Sequence, residues 1–283
     1  MFIMKPSSLF SRITTILPLL ALSMSMAQCS CSDTLGSMFI SEDDELRLGS
    51  EFDAQLRSPE NAAEYPIYEA TSSEKREFQT YVEETFQSVY SAMPKSERPS
   101  YPFKIAIVDR RDVVNAFAVP GGFVYVYTGI INKAENESEL AGVLAHEMAH
   151  ISHHHYRDAV MKQAGLSILL DALLGEDASQ LTQAVASMFS TLTQLKVSRE
   201  NEDDADATGT RYLGDSHRNP NGIATLFGRM PSSGIDWLST HPASTDRVKA
   251  VNGLVSSESS SKGWDTSPEA TYQTRFEAAR SKM

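Results

Sequence analysis

Val143 to Arg157 reads VLAHEMAHISHHHYR and gathers five of the chain's seven histidines into ten positions. Within it His146-Glu147-Met148-Ala149-His150 is an HExxH sequence. Upstream, Asn136 can cap a helix, and Glu139 stands three residues on, where a capping-box partner belongs. Ala141, Leu144, Ala145 and Met148 give that helix a buried side. Residues four apart on a helix lie about 40° from each other and one turn apart, so the two imidazoles converge. Such a pair suits a tetrahedral zinc ion with Zn–N distances of ~2.0–2.1 Å. Glu147 then reaches over the open metal position, where it can take a proton from water and pass it to a leaving amine.

The remaining histidines of the stretch are worse placed. On a continuous helix His153 returns to within about 20° of His146 but two turns along, and the sequence identifies no carboxylate for it. His154 lies about 80° round, and His155 about 180° unless the helix breaks first.

HExxH alone arises by chance in on the order of one such chain in a hundred, so a third ligand is needed. The HExxHxxGxxH pattern would put Gly at 153 and His at 156; here His153 and Tyr156 stand there, which excludes it. A carboxylate is the alternative. Arg199 to Asp206 holds five acids in a row of eight, among them Glu202 and Asp206 four apart on one helix face. Glu202 can complete a His₂Glu set, and Asp206 can accept the other ring N–H of a ligand histidine. The same run also fits a solvated helix face, the usual fate of charge clusters; HExxH tips the reading toward Glu202.

The 283 residues are 41% hydrophobic and 22% charged, an ordinary globular balance. Lys5 and Arg12 precede an apolar run, Ile13 to Leu22, and a small-x-small site at Ser25-Met26-Ala27. Residues 1–27 therefore read as an export signal, with a run too short for the ~20 residues of a span. Its removal takes away two basic residues and moves the formal charge from −12 to −14. That charge leaves no footprint for nucleic acid. Cys29 and Cys31 are too close together to staple a core; Cys29 is also a candidate for lipidation, although Gln28 fits that poorly.

Glu42–Leu56 reads as a short amphipathic helix, residues 57–72 as a loop, and Ser73–Met93 as a long helix with Phe78, Tyr81, Val82, Phe86 and Val89 on one side. Three strand-like runs follow, Phe103–Val108, Val113–Val119 and Phe123–Thr128, with a Pro120-Gly121-Gly122 turn. Residues 160–197 are apolar and helical in character, either a core hairpin or a lid. Ser198–Leu213 and Gly222–Arg229 are further helices, and His241-Pro242 opens another. From Ser256 the chain is Ser-rich and reads as surface or partly disordered. The division is 1–27 signal, 28–72 N-terminal helix and linker, 73–254 catalytic domain and 255–283 tail.

Four motifs occur in order: Asn115-Ala-Phe-Ala-Val-Pro-Gly-Gly122, Leu144-Ala-His-Glu-Met-Ala-His150, Ser198-Arg-Glu-Asn-Glu-Asp-Asp-Ala-Asp206 and Ser239-Thr-His-Pro-Ala-Ser244 with Arg247. Over residues 42–254 they resemble the CAAX prenyl endopeptidase family of gluzincins, and within it the soluble, exported bacterial branch associated with outer-membrane quality control. The resemblance implies an α+β, zincin-like metalloprotease domain in which a small mixed sheet packs with the HExxH helix and surrounding helices. It implies one Zn²⁺ per chain on His146, His150 and Glu202, Glu147 as base and Asp206 behind a ligand histidine. It places His241 near the metal, as a cap or as an oxyanion donor, against the alternative of a helix-start histidine. Arg247 then supports the same pocket or pairs with an acid, and His155 takes a structural hydrogen-bonding role. In zincins the edge strand beside the active-site helix binds extended peptide. Asn115, Ala116, Phe117 and Ala118 are the candidates here, with Phe117 lining the cleft; an ordinary buried strand is the alternative.

The expected function is a periplasmic zinc endopeptidase acting on misfolded or stalled envelope proteins, in possible contact with the outer membrane or its assembly machinery. The competing readings are a metal-capped, chaperone-like binding protein and a small ester or amide hydrolase.

Overall fold

The computed structural model describes residues 40–164, 181–183, 185, 197–230, 235–242 and 244–283. The export signal, Cys29, Cys31 and most of the 160–197 segment lie outside the described residues.

Helix α1 (Glu42–Leu56) starts at a reciprocal capping box between Ser41 and Asp44 and buries Leu48, Phe52 and Leu56 one turn apart. Helix α2 (Ser73–Ala92) is capped by Ser72 and buries Phe78, Tyr81, Val82, Phe86 and Val89, the stripe that its spacing predicts. Pro94 ends it by holding Met93 extended, at ψ 139°.

The strands are β1 (Lys104–Val108), β2 (Ala116–Val119) and β3 (Phe123–Tyr127). They form a mixed sheet in the order β1-β3-β2, with β1 parallel and β2 antiparallel to β3. β3, all aromatic and β-branched, is buried along its whole length. Gly121 and Gly122 turn the β2–β3 hairpin at φ 84° and 90°, and a Cβ on Gly121 would stand 2.5 Å from the Glu45 carbonyl. The predicted 113–119 run is shorter as a strand, because Val114 gives its carbonyl to the Trp237 N–H instead. The 57–72 loop is not detached from the domain: Ile67 bridges Val108 at the sheet margin.

Helices α3 (Thr128–Lys133) and α4 (Glu137–Ser152) follow. Every residue of α4 from Glu137 to Ile151 is buried, more than the single buried side that its apolar residues predict. Asn136 caps it by accepting from the Glu139 N–H at 3.0 Å. The predicted box stays open: the Glu139 carboxylate accepts from Glu135 N–H at 2.8 Å and pairs with Arg229.

His153 is the C-cap of α4, and His154 takes a left-handed φ of 57° before α5 (His155–Ala164) begins. Helix α6 (Arg199–Asp215) packs along α4, and Gly209 permits a close approach: a Cβ there would lie 2.9 Å from the backbone nitrogen of His146. Helices α7 (Gly222–Arg229), α8 (Asp236–Thr240), α9 (Thr245–Lys262) and α10 (Gln273–Arg280) complete the described chain.

Two expectations change here. His241 does not open a helix; it caps the C-terminal end of α8, donating its N–H to the Trp237 carbonyl, and α9 starts at Thr245 with Ser244 as its cap. The 255–283 segment is not a loose tail. Helix α9 continues to Lys262 and stops at Gly263, which takes the left-handed cap conformation, and α10 buries Phe276 completely against the Tyr81 ring. One buried phenylalanine contributes about 1.5–3 kcal/mol toward holding this short helix on α2.

Candidate metal centre

Four side chains from three elements meet between α4 and α6. His146 and His150 come from α4, Glu202 from the first turn of α6 and His241 from the end of α8; all are buried. One donor atom of each lies within 4.8 Å of the others. The two Nε2 atoms are 3.0 Å apart, and the Glu202 carboxylate oxygens stand 3.6 Å from His146 and 3.5 Å from His150. Tetrahedral coordination with bonds near 2.05 Å has donor–donor edges of about 3.4 Å. The cluster already has that size.

Protons decide what the cluster can hold. His146 turns Nδ1 toward Asp206 Oδ1 at 3.0 Å. An ionised carboxylate only accepts, so Nδ1 carries a proton toward Asp206 and Nε2 is the atom that faces inward. Burial disfavours a charge on His146, yet Asp206 and Glu202 raise its pKa to about 9. Burial and the charge of His146 push His150 well below its ordinary value. Glu202 is likewise opposed by burial, but His241, His146 and His150 hold its carboxyl far below the usual range. A protonated His146 and an ionised Glu202 share this buried space, and a divalent cation would displace the inward proton of His146 and take both side chains as ligands. The residues fit a divalent metal of the His₂Glu type.

Arg247 resolves both of its predicted roles at once. Its Nε and Nη2 donate to Asp206 at 2.6 and 2.7 Å, and Nη1 stands 2.9 Å from Glu202 Oε2. The guanidinium thereby fixes both α6 carboxylates and lies over the Phe227 ring, 4.6 Å from its centroid. Burial raises and Arg247 and His146 lower the Asp206 pKa, with a net lowering.

Glu147 sits beside the cluster and not in it. Tyr156 donates its hydroxyl to Oε2 at 2.7 Å, and the Trp237 Nε1–H donates to Oε1 at 3.1 Å. His241 Nε2 is 3.6 Å from the same carboxylate, while its Nδ1 is 2.9 Å from Glu202 Oε1 and 3.3 Å from His146 Nε2. Burial first, then the charge of Glu147, raises the Tyr156 pKa far above normal, so this phenol stays a donor.

Tyr156 and Trp237 were not legible as site residues. Tyr156 follows a left-handed turn that no helical spacing predicts, and Trp237 is remote from HExxH in sequence and reads as core. His155 does take a hydrogen-bonding place: its Nδ1 is 3.0 Å from His150 Nδ1 and its Nε2 is 3.4 Å from Asp204. His153, left without a partner in the sequence, pairs with Asp204.

The strand candidates divide by face. Ala116 and Ala118 pack with the core around α4, whereas Phe117 stacks on Tyr125 at 4.8 Å and meets Phe52 edge-on. Phe117 is therefore committed to the aromatic cluster under α1. Asn115 Oδ1 is buried and has no hydrogen-bond partner among the described residues.

The family model for peptidase family M48 matches residues 76–255. The mitochondrial metalloendopeptidase OMA1 of Arabidopsis thaliana is 29% identical over 149 residues, covering 51% of this chain and 30% of that protein. OMA1 of Schizosaccharomyces pombe is 32% identical over 151 residues, 51% of this chain and 44% of its own. The beta-barrel assembly-enhancing protease of Yersinia pestis is 31% identical over 163 residues, 52% and 33%. The chain thus spans about a third to under a half of the length of these relatives. The matched stretch runs from α2 through most of α9 and contains every residue of the cluster, and the chain belongs to peptidase family M48.

Proposed function

We propose that this protein is a zinc-dependent endopeptidase whose ligands are His146, His150 and Glu202. The observation that carries the reading is the inward pair of imidazole nitrogens at 3.0 Å, closed by Glu202 and flanked by Glu147. Zinc held there would polarise the scissile carbonyl and acidify the attacking water. Glu147 takes the water proton and returns it to the leaving amine, held in place by Tyr156 and Trp237. Asp206 fixes the His146 tautomer, and Arg247 locks Asp206 and Glu202. His241 faces the reacting carbonyl oxygen as a donor.

Extended substrate lies along β2, the edge strand nearest α4, with the main chain of Asn115, Ala116, Phe117 and Ala118 as its partner. The buried, unpartnered Asn115 Oδ1 supports this, since a peptide N–H would satisfy it. Val119→Pro should impair peptide turnover and leave metal content alone; unchanged turnover removes the strand from the account. The beta-barrel assembly-enhancing protease among the relatives and the sequence of residues 1–27 support export to the periplasm and misfolded envelope proteins as substrates. Association with outer-membrane assembly is part of the same proposal. Among the described residues no helix is long and apolar enough to cross a membrane.

The test is cleavage of an unfolded protein such as casein by metal-stripped protein before and after adding Zn²⁺. Recovery of cleavage supports the reading, and a metal-stripped sample that cleaves as fast as the loaded one refutes it. The second reading, a capped and autoinhibited centre, is favoured by His241 Nδ1 lying 3.3 Å from His146 Nε2. His241→Ala separates them: faster cleavage means capping, and loss means a donor to the substrate oxygen.

A further inference from the structure

Outside the inner cluster, the break at the end of α4 gathers a second set of donors. On an unbroken helix, residues 153 and 155 would point about 160° apart. His154, at φ 57°, interrupts the helix and turns away to Glu45, 2.7 Å from its Nδ1, which leaves His153 and His155 on the same side. Their rings meet edge-on with centroids 5.8 Å apart. Asp204 faces them from α6: its Oδ2 contacts His153 Nδ1 and stands 3.4 Å from His155 Nε2. One donor atom from each of the three lies within 4.8 Å of the others.

The geometry points to a second divalent-cation site made by His153, His155 and Asp204. Two imidazoles and one carboxylate are a borderline donor set, suited to Zn²⁺, Co²⁺ or Ni²⁺ and not to the oxygen-seeking Mg²⁺ or Ca²⁺. The 3.4 Å separation of His155 Nε2 from Asp204 equals a tetrahedral edge at zinc–ligand bond lengths, about 3.4 Å. The side chains of His153 and Asp204 are 30% and 44% exposed, so water can complete the coordination sphere and the cation can exchange. Glu97, anchored by the Tyr212 hydroxyl at 2.6 Å, adds negative charge beside His153. The site shares no residue with the inner cluster and touches it through His155 Nδ1, 3.0 Å from His150 Nδ1, so its metal is counted separately from that of the proposed peptidase centre.

The experiment compares bound metal in the full chain and in single variants. Each protein is stripped with a chelator, equilibrated with micromolar free Zn²⁺ or Co²⁺, and assayed for metal per chain, with circular dichroism confirming the fold. Wild type should hold one equivalent more than His153→Ala and one more than Asp204→Ala, and its Co²⁺ absorption should contain a component that both variants lose. His217→Ala, which removes an exposed histidine on a distant loop, should keep the wild-type number. Equal metal in wild type, His153→Ala and Asp204→Ala overturns the site. Loss of the same equivalent in His217→Ala also overturns it, since the extra metal would then be adventitious. The difference between proteins is read directly, so an inner cluster without metal would lower all the counts together and leave this test intact.

Discussion

The inner and outer histidine clusters both lie along the α4–α6 contact, joined by His241 of α8 inside and His155 of α5 outside, and use the same kinds of side chain. They differ in what each donor has already committed. Inside, His146 is held from behind by Asp206 and Glu202 by Arg247, so their remaining polar atoms point at one another. Outside, His153 and His155 close directly onto Asp204, which is itself partly in water. The inner arrangement is rigid because buried partners hold its donors from behind; the outer one must rearrange to take a cation. That contrast separates a prearranged reaction centre from an exchangeable site, and it can be broken or sharpened by substitution.

The largest effect should come from Glu202→Ala. It removes a ligand, so metal content after dialysis and casein cleavage should both fall to background. The loss should exceed the roughly 10–100-fold expected for a partner behind a ligand. Retained metal would show that the inner donors are not the holding set.

Arg247→Ala comes next. It strands two buried carboxylates and should cost about 3–5 kcal/mol in urea unfolding. A change below about 1 kcal/mol would mean that Asp206 and Glu202 need no cationic partner.

Asp206→Asn keeps the shape but weakens the hold on the His146 N–H. Zinc affinity measured against a competing chelator should drop roughly 10–100-fold. An unchanged affinity would erase the proposed difference in backing between the clusters.

The smallest effect is expected outside: without added metal, His153→Ala should lower stability by no more than about 1 kcal/mol, because its pairing with Asp204 is partly solvated. A loss of several kcal/mol in urea unfolding would make the outer cluster a structural element instead.

The part of this architecture that is periodic was legible. The i,i+4 placement of His146 and His150, and of Glu202 and Asp206, survives unchanged because α4 and α6 are regular helices. The α+β character and the mixed sheet follow from strand-like runs and the glycine turn between β2 and β3. What could not be read depends on irregular backbone or on contacts remote in sequence. The left-handed His154 brings Tyr156 onto Glu147, and it gives His153 and His155 a shared carboxylate. Phe276 is one aromatic in a polar stretch, so composition alone assigns its helix to the surface, whereas docking on α2 buries it. His241 reads as a helix start because proline follows it; the chain instead ends α8 there and delays α9 to Thr245.

The central claim is that Glu147 works as a base beside a metal that it does not hold. The direct measurement is Glu147→Gln, with bound zinc and protein cleavage determined on the same sample. The account predicts zinc equal to wild type and cleavage reduced by roughly 10²–10⁴-fold, the usual contribution of general acid–base catalysis. Full cleavage with zinc retained would contradict it.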